Sequence, residues 1–421
     1  MLVQHVSKIH LLLITLTAIL YPMDRVQAQP VNWERIDTHA LKTPNHVENS
    51  VQTLATYLVE PAGNEHEKVR AIFRWVTQNI AYDTEGYFSG QYGDLSPDGV
   101  LKSRSAVCDG YAGLFDMLGK AAGLEVVKVI GYSKGYSYAV GDQLDGASNH
   151  AWNAVMIDNK WYLLDATWGA GYLGDNNKFV RKFQNHYFLT PPDEFIYDHL
   201  PSDAQWQLLE QPVSKQDYAD FVYLRPAFFH TGLAILSHGH SLIEMDDQIS
   251  VTLRAPDRAL LLAQLMQGEN KLDEAFTFLQ RRNGSYNIQA IIPQSGRYVL
   301  RLFAKNRDEE GSYSWALDYS LTASEGRPGG FPRAFSTFSE NGGYLHSPMS
   351  GRLKRGSTQT FKIQVQGAEK VAVIMGDNWH DLNKEGDLFT GDVTINDKNI
   401  RVFAKLPGRE QYDGLLEYTG F

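Results

Sequence analysis

Cysteine occurs once in the 421 residues, at Cys108, so no disulfide can form within the chain. Runs rich in lysine and arginine are missing too, and the formal net charge is -10. An acidic chain repels phosphate backbones and anionic lipid, which argues against nucleic acid and a charged membrane surface as partners. Beyond Leu20 no apolar run approaches the roughly 20 residues that span a bilayer. Charged residues make up 21% and apolar residues 43%, the balance of a folded protein rather than a disordered one.

What is present begins with the N-terminus. Lys8 precedes an apolar run from Ile9 to Leu20, and Val26-Gln27-Ala28 fits a small-residue cleavage site. The expectation is an export signal over residues 1–28, with an uncleaved anchor as the alternative. The chain would then be periplasmic or extracellular, with no transmembrane segment left once the signal is removed. Its lack of disulfides suits a bacterial envelope.

The length asks for two or three domains. Thr43-Pro44 reads as a helix start, followed by Val47, Val51, Leu54, Ala55 and Leu58 at helical spacing up to Pro61. A second helix after Gly63 carries Val69, Ile72, Phe73, Val76 and Ile80. A third runs over 108–122 with Tyr111, Leu114, Phe115, Leu118 and Ala122 on one face and Gly123 as its stop. Strands are expected at 126–130, 151–157 and 160–164, the last two joined by the two-residue turn Asp158-Asn159. Residues 133–149 hold Gly135, Gly141 and Gly146 with Tyr136 and Tyr138, and read as a long loop, either a cover for a site or disorder.

From about residue 227 the pattern is β throughout, with Tyr286, Ile288, Ala290 and Ile292 alternating after Asn283-Gly284, and Trp315, Leu317, Tyr319 and Leu321 alternating later. Residues 326–332 read as a linker. Phe303-Ala304-Lys305 and Phe403-Ala404-Lys405 each close a strand and precede a tyrosine pair of equal spacing, Tyr313 with Tyr319 and Tyr412 with Tyr418. Asp318 and Glu417 stand just before the second tyrosines. This weak repeat suggests a duplicated β-sandwich of about a hundred residues. The expected division is 29–226 for an α+β domain, 227–325 for one β-sandwich and 326–421 for a second.

The chemistry gathers in the α+β part. Cys108 begins a helix, where unpaired N–H groups and the helix dipole favour a thiolate. An unperturbed thiol, with pKa about 8.5, is only a few per cent ionised at neutral pH, so an imidazole partner matters. Asp109 opposes this with its own negative charge. With Asp158-Asn159 as a two-residue turn, Trp152 faces Asp165 and His150 faces Thr167, which makes His150 and Asp165 diagonal neighbours on one face of the hairpin. A three-residue turn would separate them. Taken singly, the histidine reads as packing, the aspartate as a turn former and the cysteine as a small buried apolar residue. Taken together, they are what a nucleophile, its base and a base-orienting carboxylate require. Trp152, Tyr162 and Trp168 flank them, either as walls of a substrate groove or as core. His238-Gly239-His240 is the nearest approach to a metal-ligand pair. It has no cysteine and no helically spaced partner, so no metal and no cofactor are expected.

These blocks also carry a family resemblance. Ala106-Val107-Cys108-Asp109-Gly110-Tyr111-Ala112, Asn149-His150-Ala151-Trp152-Asn153 and Trp161-Tyr162-Leu163-Leu164-Asp165-Ala166-Thr167-Trp168 resemble the core of the transglutaminase-like superfamily. The stretches Arg70–Trp75, Asn79–Asp83, His186–Pro192, His199-Leu200-Pro201 and Trp206–Leu209 resemble its branch containing kyphoscoliosis peptidase. The resemblance covers about residues 45–225. It implies a papain-like fold with Cys108 as nucleophile, His150 as general base and acid, and Asp165 as the orienting group. It implies acyl transfer on a protein or peptide amide, either a peptidase or a crosslinking transamidase, unless the site is vestigial and the chain only binds a surface partner. No residue matches the upstream tryptophan motif of true transglutaminases, and their calcium-site regions have no match either.

Overall fold

Asp158 and Asn159 both adopt positive φ, 49° and 61°. A type I′ turn needs this of its two central residues, and asparagine and aspartate tolerate it better than most. The register follows from the turn: Asn153 pairs with Leu164 and Ile157 with Lys160. The computed structural model describes residues 32–421 apart from 143, 145 and 175. The expected export signal lies outside the described residues.

This hairpin forms one side of a four-stranded antiparallel sheet in the order Lys160–Leu164, His150–Ile157, Val126–Ser133, His199–Pro201. The helix Glu65–Asn79 starts where the Asn64 side chain accepts from the Glu67 N–H and ends before Ile80. Its stripe of Val69, Ile72, Phe73 and Val76 is buried. The helix Cys108–Ala121 buries Tyr111, Leu114, Phe115 and Leu118, and Gly123 at φ 77° follows its end. Burying each such side chain contributes about 1.5–3 kcal/mol before entropy is counted. These helices and the inner face of the sheet share one core with Trp152, Val155 and Leu164. The start at Thr43-Pro44 needs correction. A single 3₁₀ turn covers Asn45–Val47, and the helix proper is Val51–Leu58, capped by the Ser50 side chain accepting from the Thr53 N–H.

Two β-sandwiches follow, so the architecture is α+β, and the C-terminal half is β except for short helices at Pro226–His230 and Ser336–Glu340 and a 3₁₀ turn at Glu274–Phe276, which corrects the reading of strand throughout. In the first, the sheet Ala234–Ile235, Gln248–Arg254, Ser285–Ile291, Thr277–Arg282 is accompanied by the sheet Leu242–Met245, Ser314–Ala323, Gly296–Asn306, Ala259–Gln267, Asn270–Lys271. Tyr223–Leu224 adds an antiparallel rung to Ser314–Ala323. The second repeats the plan. Tyr344–Ser347, Thr358–Gln364, Leu388–Thr394 and Asn383–Glu385 form one sheet, and Arg333–Ala334, Tyr412–Gly420, Asn399–Lys405, Lys370–Met375 and Asn378–Asp381 the other.

The internal repeat is structural. Both sandwiches carry a register shift at the same place, between Leu302 and Phe303 and between Val402 and Phe403. Arg301 pairs across strands with Asp318, and Arg401 with Glu417. Both pairs are ion pairs, at 2.7 and 2.9 Å. The sandwiches touch through Phe278, stacked on Phe331 at 5.5 Å.

Candidate active site

Cys108 is the first residue of its helix and is half-buried. The parallel bridge of Ala81–Tyr82 with Ser105–Ala106 and the bond from Tyr111 Oη to the Ile80 carbonyl, at 2.6 Å, fix the approach to it. The Asn153 side chain donates to the Ala112 carbonyl at 3.0 Å and ties the helix to the histidine strand. Asp109 is paired with Lys128 at 2.8 Å, which offsets the negative charge beside the sulfur.

His150 opens its strand, and its Nε2 lies 2.8 Å from Asp165 Oδ2. The Cys108 thiol lies close enough to His150 and to the Ala151 N–H for both to lower its pKa. Because Nε2 is taken by Asp165, Nδ1 is the ring atom left for the sulfur. The hairpin does bring His150 and Asp165 together, but by a different local route from the one expected. The ladder stops at Leu164, so Trp152 and His150 have no strand partners in Asp165 and Thr167. Asp165 instead caps the helix Ala166–Ala170, its Oδ1 accepting from the N–H groups of Thr167 at 2.7 Å and Trp168 at 3.1 Å. The cap fixes one carboxylate oxygen and leaves the other for histidine.

The electrostatics agree with the geometry. Burial opposes charge on Cys108, but the adjacent His150 charge and the hydrogen bonds from His150 and Ala151 outweigh it, so the thiol lies below its ordinary value. Burial also opposes an imidazolium at His150. Asp165 and the Cys108 thiolate overcome that and lift it to about 10. Burial pushes Asp165 up, while His150 and His199 more than reverse the push and hold it well below the carboxylate range. Thiolate, imidazolium and carboxylate therefore form a mutually stabilised row.

The flanking aromatics divide. Trp168 is half-buried, with its ring 5.3 Å from His150. Trp152 is 1% exposed and belongs to the core, so it cannot wall an open groove. Tyr162 packs edge-on against His66, at 5.6 Å, and its ring has no contact with His150. Tyr82 had not been singled out. Burial and the nearby Cys108 charge raise its phenol well above the ordinary value, which places it beside the sulfur. It packs on Tyr87, which packs on exposed Phe88, which meets exposed Tyr136 of the 133–149 loop.

His199 was also missed as a site residue. It is fully buried, 3.1 Å from Asp165 Oδ2 through Nε2 and 2.6 Å from Asp198 Oδ1 through Nδ1. Among the described residues His150, Asp165 and His199 bring three potential ligand atoms within 4.8 Å of one another. The donor set suits a metal in kind, but both Nε2 atoms already bond the same fully buried Asp165 oxygen, and a cation would have to break both bonds. His238 and His240 are exposed, His238 Nδ1 bonds Ser237 Oγ at 2.9 Å, and His240 forms an isolated antiparallel bridge with Phe221.

Residues 52–166, which hold all three of Cys108, His150 and Asp165, match the transglutaminase-like superfamily core. The chain belongs to the transglutaminase-like superfamily. Residues 215–332 match the KY-like, immunoglobulin-like domain. Among curated relatives of this transglutaminase-like chain, mouse kyphoscoliosis peptidase is 32% identical over 308 residues, 72% of this chain and 45% of that protein. The human protein is 31% identical over the same shares. Hillarin of Drosophila melanogaster is 30% identical over 55% of this chain and 30% of its own length. The chain thus spans about half the length of the kyphoscoliosis peptidases it matches. No helix among the described residues is long and apolar enough to cross a membrane.

Proposed function

We propose that this transglutaminase-like chain is an exported cysteine acyl-transfer enzyme that hydrolyses amide bonds of a protein or peptide. The reading rests on one observation: the sole thiol stands at a helix start beside an imidazole whose Nε2 is held by a buried carboxylate that also caps a helix. The Cys108 thiolate attacks the amide carbonyl carbon. The Cys108 backbone N–H, unpaired at the helix start, is the available donor to the oxyanion. His150 gives its Nδ1 proton to the leaving amine as the C–N bond breaks, leaving a thioester. His150 then takes a proton from water, the hydroxide adds to the thioester, and the thiolate leaves with a carboxylic acid formed. Asp165 holds the ring through both halves. The peptidase name of the mouse and human relatives supports water as the acceptor. Export rests on the N-terminal signal pattern of Lys8, the run Ile9–Leu20 and the sequence Val26-Gln27-Ala28.

The test is casein incubated with the purified protein and with Cys108→Ala, scored for new fragments and for incorporation of a fluorescent primary amine. Fragments from the unaltered protein alone are expected. Amine incorporation without fragments would replace hydrolysis with crosslinking. Neither product, together with an ordinary thiol titration of Cys108, would leave a binding protein with an idle site.

A further inference from the structure

Behind the site stands a second buried imidazole between two carboxylates. His199 Nε2 meets Asp165 Oδ2 and His199 Nδ1 meets Asp198 Oδ1. Each ring nitrogen meets a carboxylate oxygen, so His199 bridges the two acids. The ring cannot turn away: it stacks on Phe195 with centroids 4.1 Å apart and packs against Trp168 at 4.4 Å and Trp152 at 5.1 Å. Asp198 is anchored in turn. Its Oδ2 accepts from Tyr187 Oη at 3.1 Å, and it interacts electrostatically with half-buried Arg225 and with Lys134, whose amine burial pulls down to about 7.

Asp165 thereby receives four donors, two backbone N–H groups on Oδ1 and two imidazoles on Oδ2. The helix cap fixes Oδ1 but does not by itself aim Oδ2, because the carboxylate plane can still tilt about the capped oxygen. His199 supplies the second anchor. We propose that His199, clamped by Asp198, is a positioning residue that aims Asp165 Oδ2 at His150 and so sustains the thiolate–imidazolium pair at Cys108. The line runs Cys108, His150, Asp165, His199, Asp198. The inference rests on the proposed reading of the first three as the reacting groups. The titratable and charged groups facing His199 are Asp165 and Asp198 at its nitrogens, His150 at 5.3 Å, Tyr187 at 5.9 Å and His186, with Lys134 and Arg225 beyond Asp198.

Because the chain has one cysteine, alkylation by iodoacetamide reports on Cys108 alone. The experiment measures the labelling rate from pH 4 to 10 in the full chain, for the unaltered protein, His199→Phe, His199→Gln and Asp198→Asn, with near-ultraviolet circular dichroism as the check of folding. The side-chain amide introduced by His199→Gln can still donate toward Asp165, whereas His199→Phe cannot. For His199→Phe the midpoint is expected to rise by about one pH unit, which is about tenfold slower labelling at any pH well below both midpoints. His199→Gln should recover most of that rate, and Asp198→Asn should shift the midpoint in the same direction by less. An unshifted midpoint in folded His199→Phe would overturn the proposal, as would a His199→Gln protein no better than His199→Phe, since packing alone would then explain both. If His199→Phe does not fold, Asp198→Asn decides, and an unshifted midpoint there overturns it. A midpoint near 8.5 in the unaltered protein would instead remove the reading of the site itself, and this inference with it.

Discussion

His150 Nε2 and Asp165 Oδ2 are 2.8 Å apart with the carboxylate sealed from solvent, and that contact sets the charge state of the sulfur on the far side of the ring. Both shifts run in the direction that favours thiolate and imidazolium together over the neutral pair.

Alkylation of Cys108 should therefore persist to lower pH than that of an ordinary thiol. With His150→Asn the sulfur loses its counter-charge and keeps its burial, so its titration should return to the ordinary 8.5 or above. A thiol of that kind is well under 1% ionised at pH 6, so labelling there should fall at least severalfold. A fall of less than threefold would mean that the imidazole does not sustain the thiolate.

The same charges enter stability. His150 holds its proton up to about pH 10 when folded and to about 6.5 when unfolded. Its contribution is complete below pH 6.5 and is lost as pH rises toward 10. The lowered thiol works in the opposite sense, so the clean comparison is Cys108→Ala against Cys108→Ala with His150→Gln. The melting temperature of the first should drop more steeply than that of the second between pH 6.5 and 10. Parallel curves would count against a strongly held proton.

Gly131 lies where the strand of His199 crosses that of Val126–Ser133. A Cβ there would sit 2.2 Å from the Leu200 carbonyl oxygen and 2.7 Å from Pro201 Cα, both backbone atoms that cannot swing aside. Gly131→Ala should cost about 2–3 kcal/mol in urea unfolding and raise the alkylation midpoint of Cys108, because the strand that carries His199 must shift. A loss of stability with the midpoint unchanged would show that the site tolerates movement of that strand.

The duplicated ion pairs should differ in worth. The Asp318 side chain is 5% exposed, and Trp315 and Arg301 both donate to it. Arg301→Met leaves that carboxylate buried without its cation and should cost about 3 kcal/mol. Arg401 and Glu417 are 55% and 28% exposed, so Arg401→Met should cost below about 1 kcal/mol. Equal losses in the two unfolding curves would refute the distinction.

How far the site was legible depended on how local each cause was. Asp158-Asn159 dictates a two-residue turn by its own backbone preference, so the hairpin register as far as Leu164 could be read from the order of residues. The end of the strand could not be read by alternation alone, because Asp165 leaves the ladder to cap a helix; the signal was an aspartate directly before Ala166-Thr167. The twin strand motifs ending at Lys305 and Lys405 were legible because the register shift recurs with them. His199 was not, since it reaches Asp165 from 34 positions away through pairing with Val126–Ser133, and no local pattern announces it. Burial likewise separates Trp152 from Trp168, two residues that look alike along the chain.

Tyr223–Leu224 is bonded to the first sandwich, yet Tyr223 Oη donates to the Lys134 carbonyl, Lys134 Nζ donates to the Phe221 carbonyl, and the Lys134 N–H donates to the Asp198 carbonyl. Sliding the sandwich against the transglutaminase-like half would drag on the residue next to His199 within three hydrogen bonds. A protein cut just before Tyr223 would keep every reacting group and lose the buttress behind them.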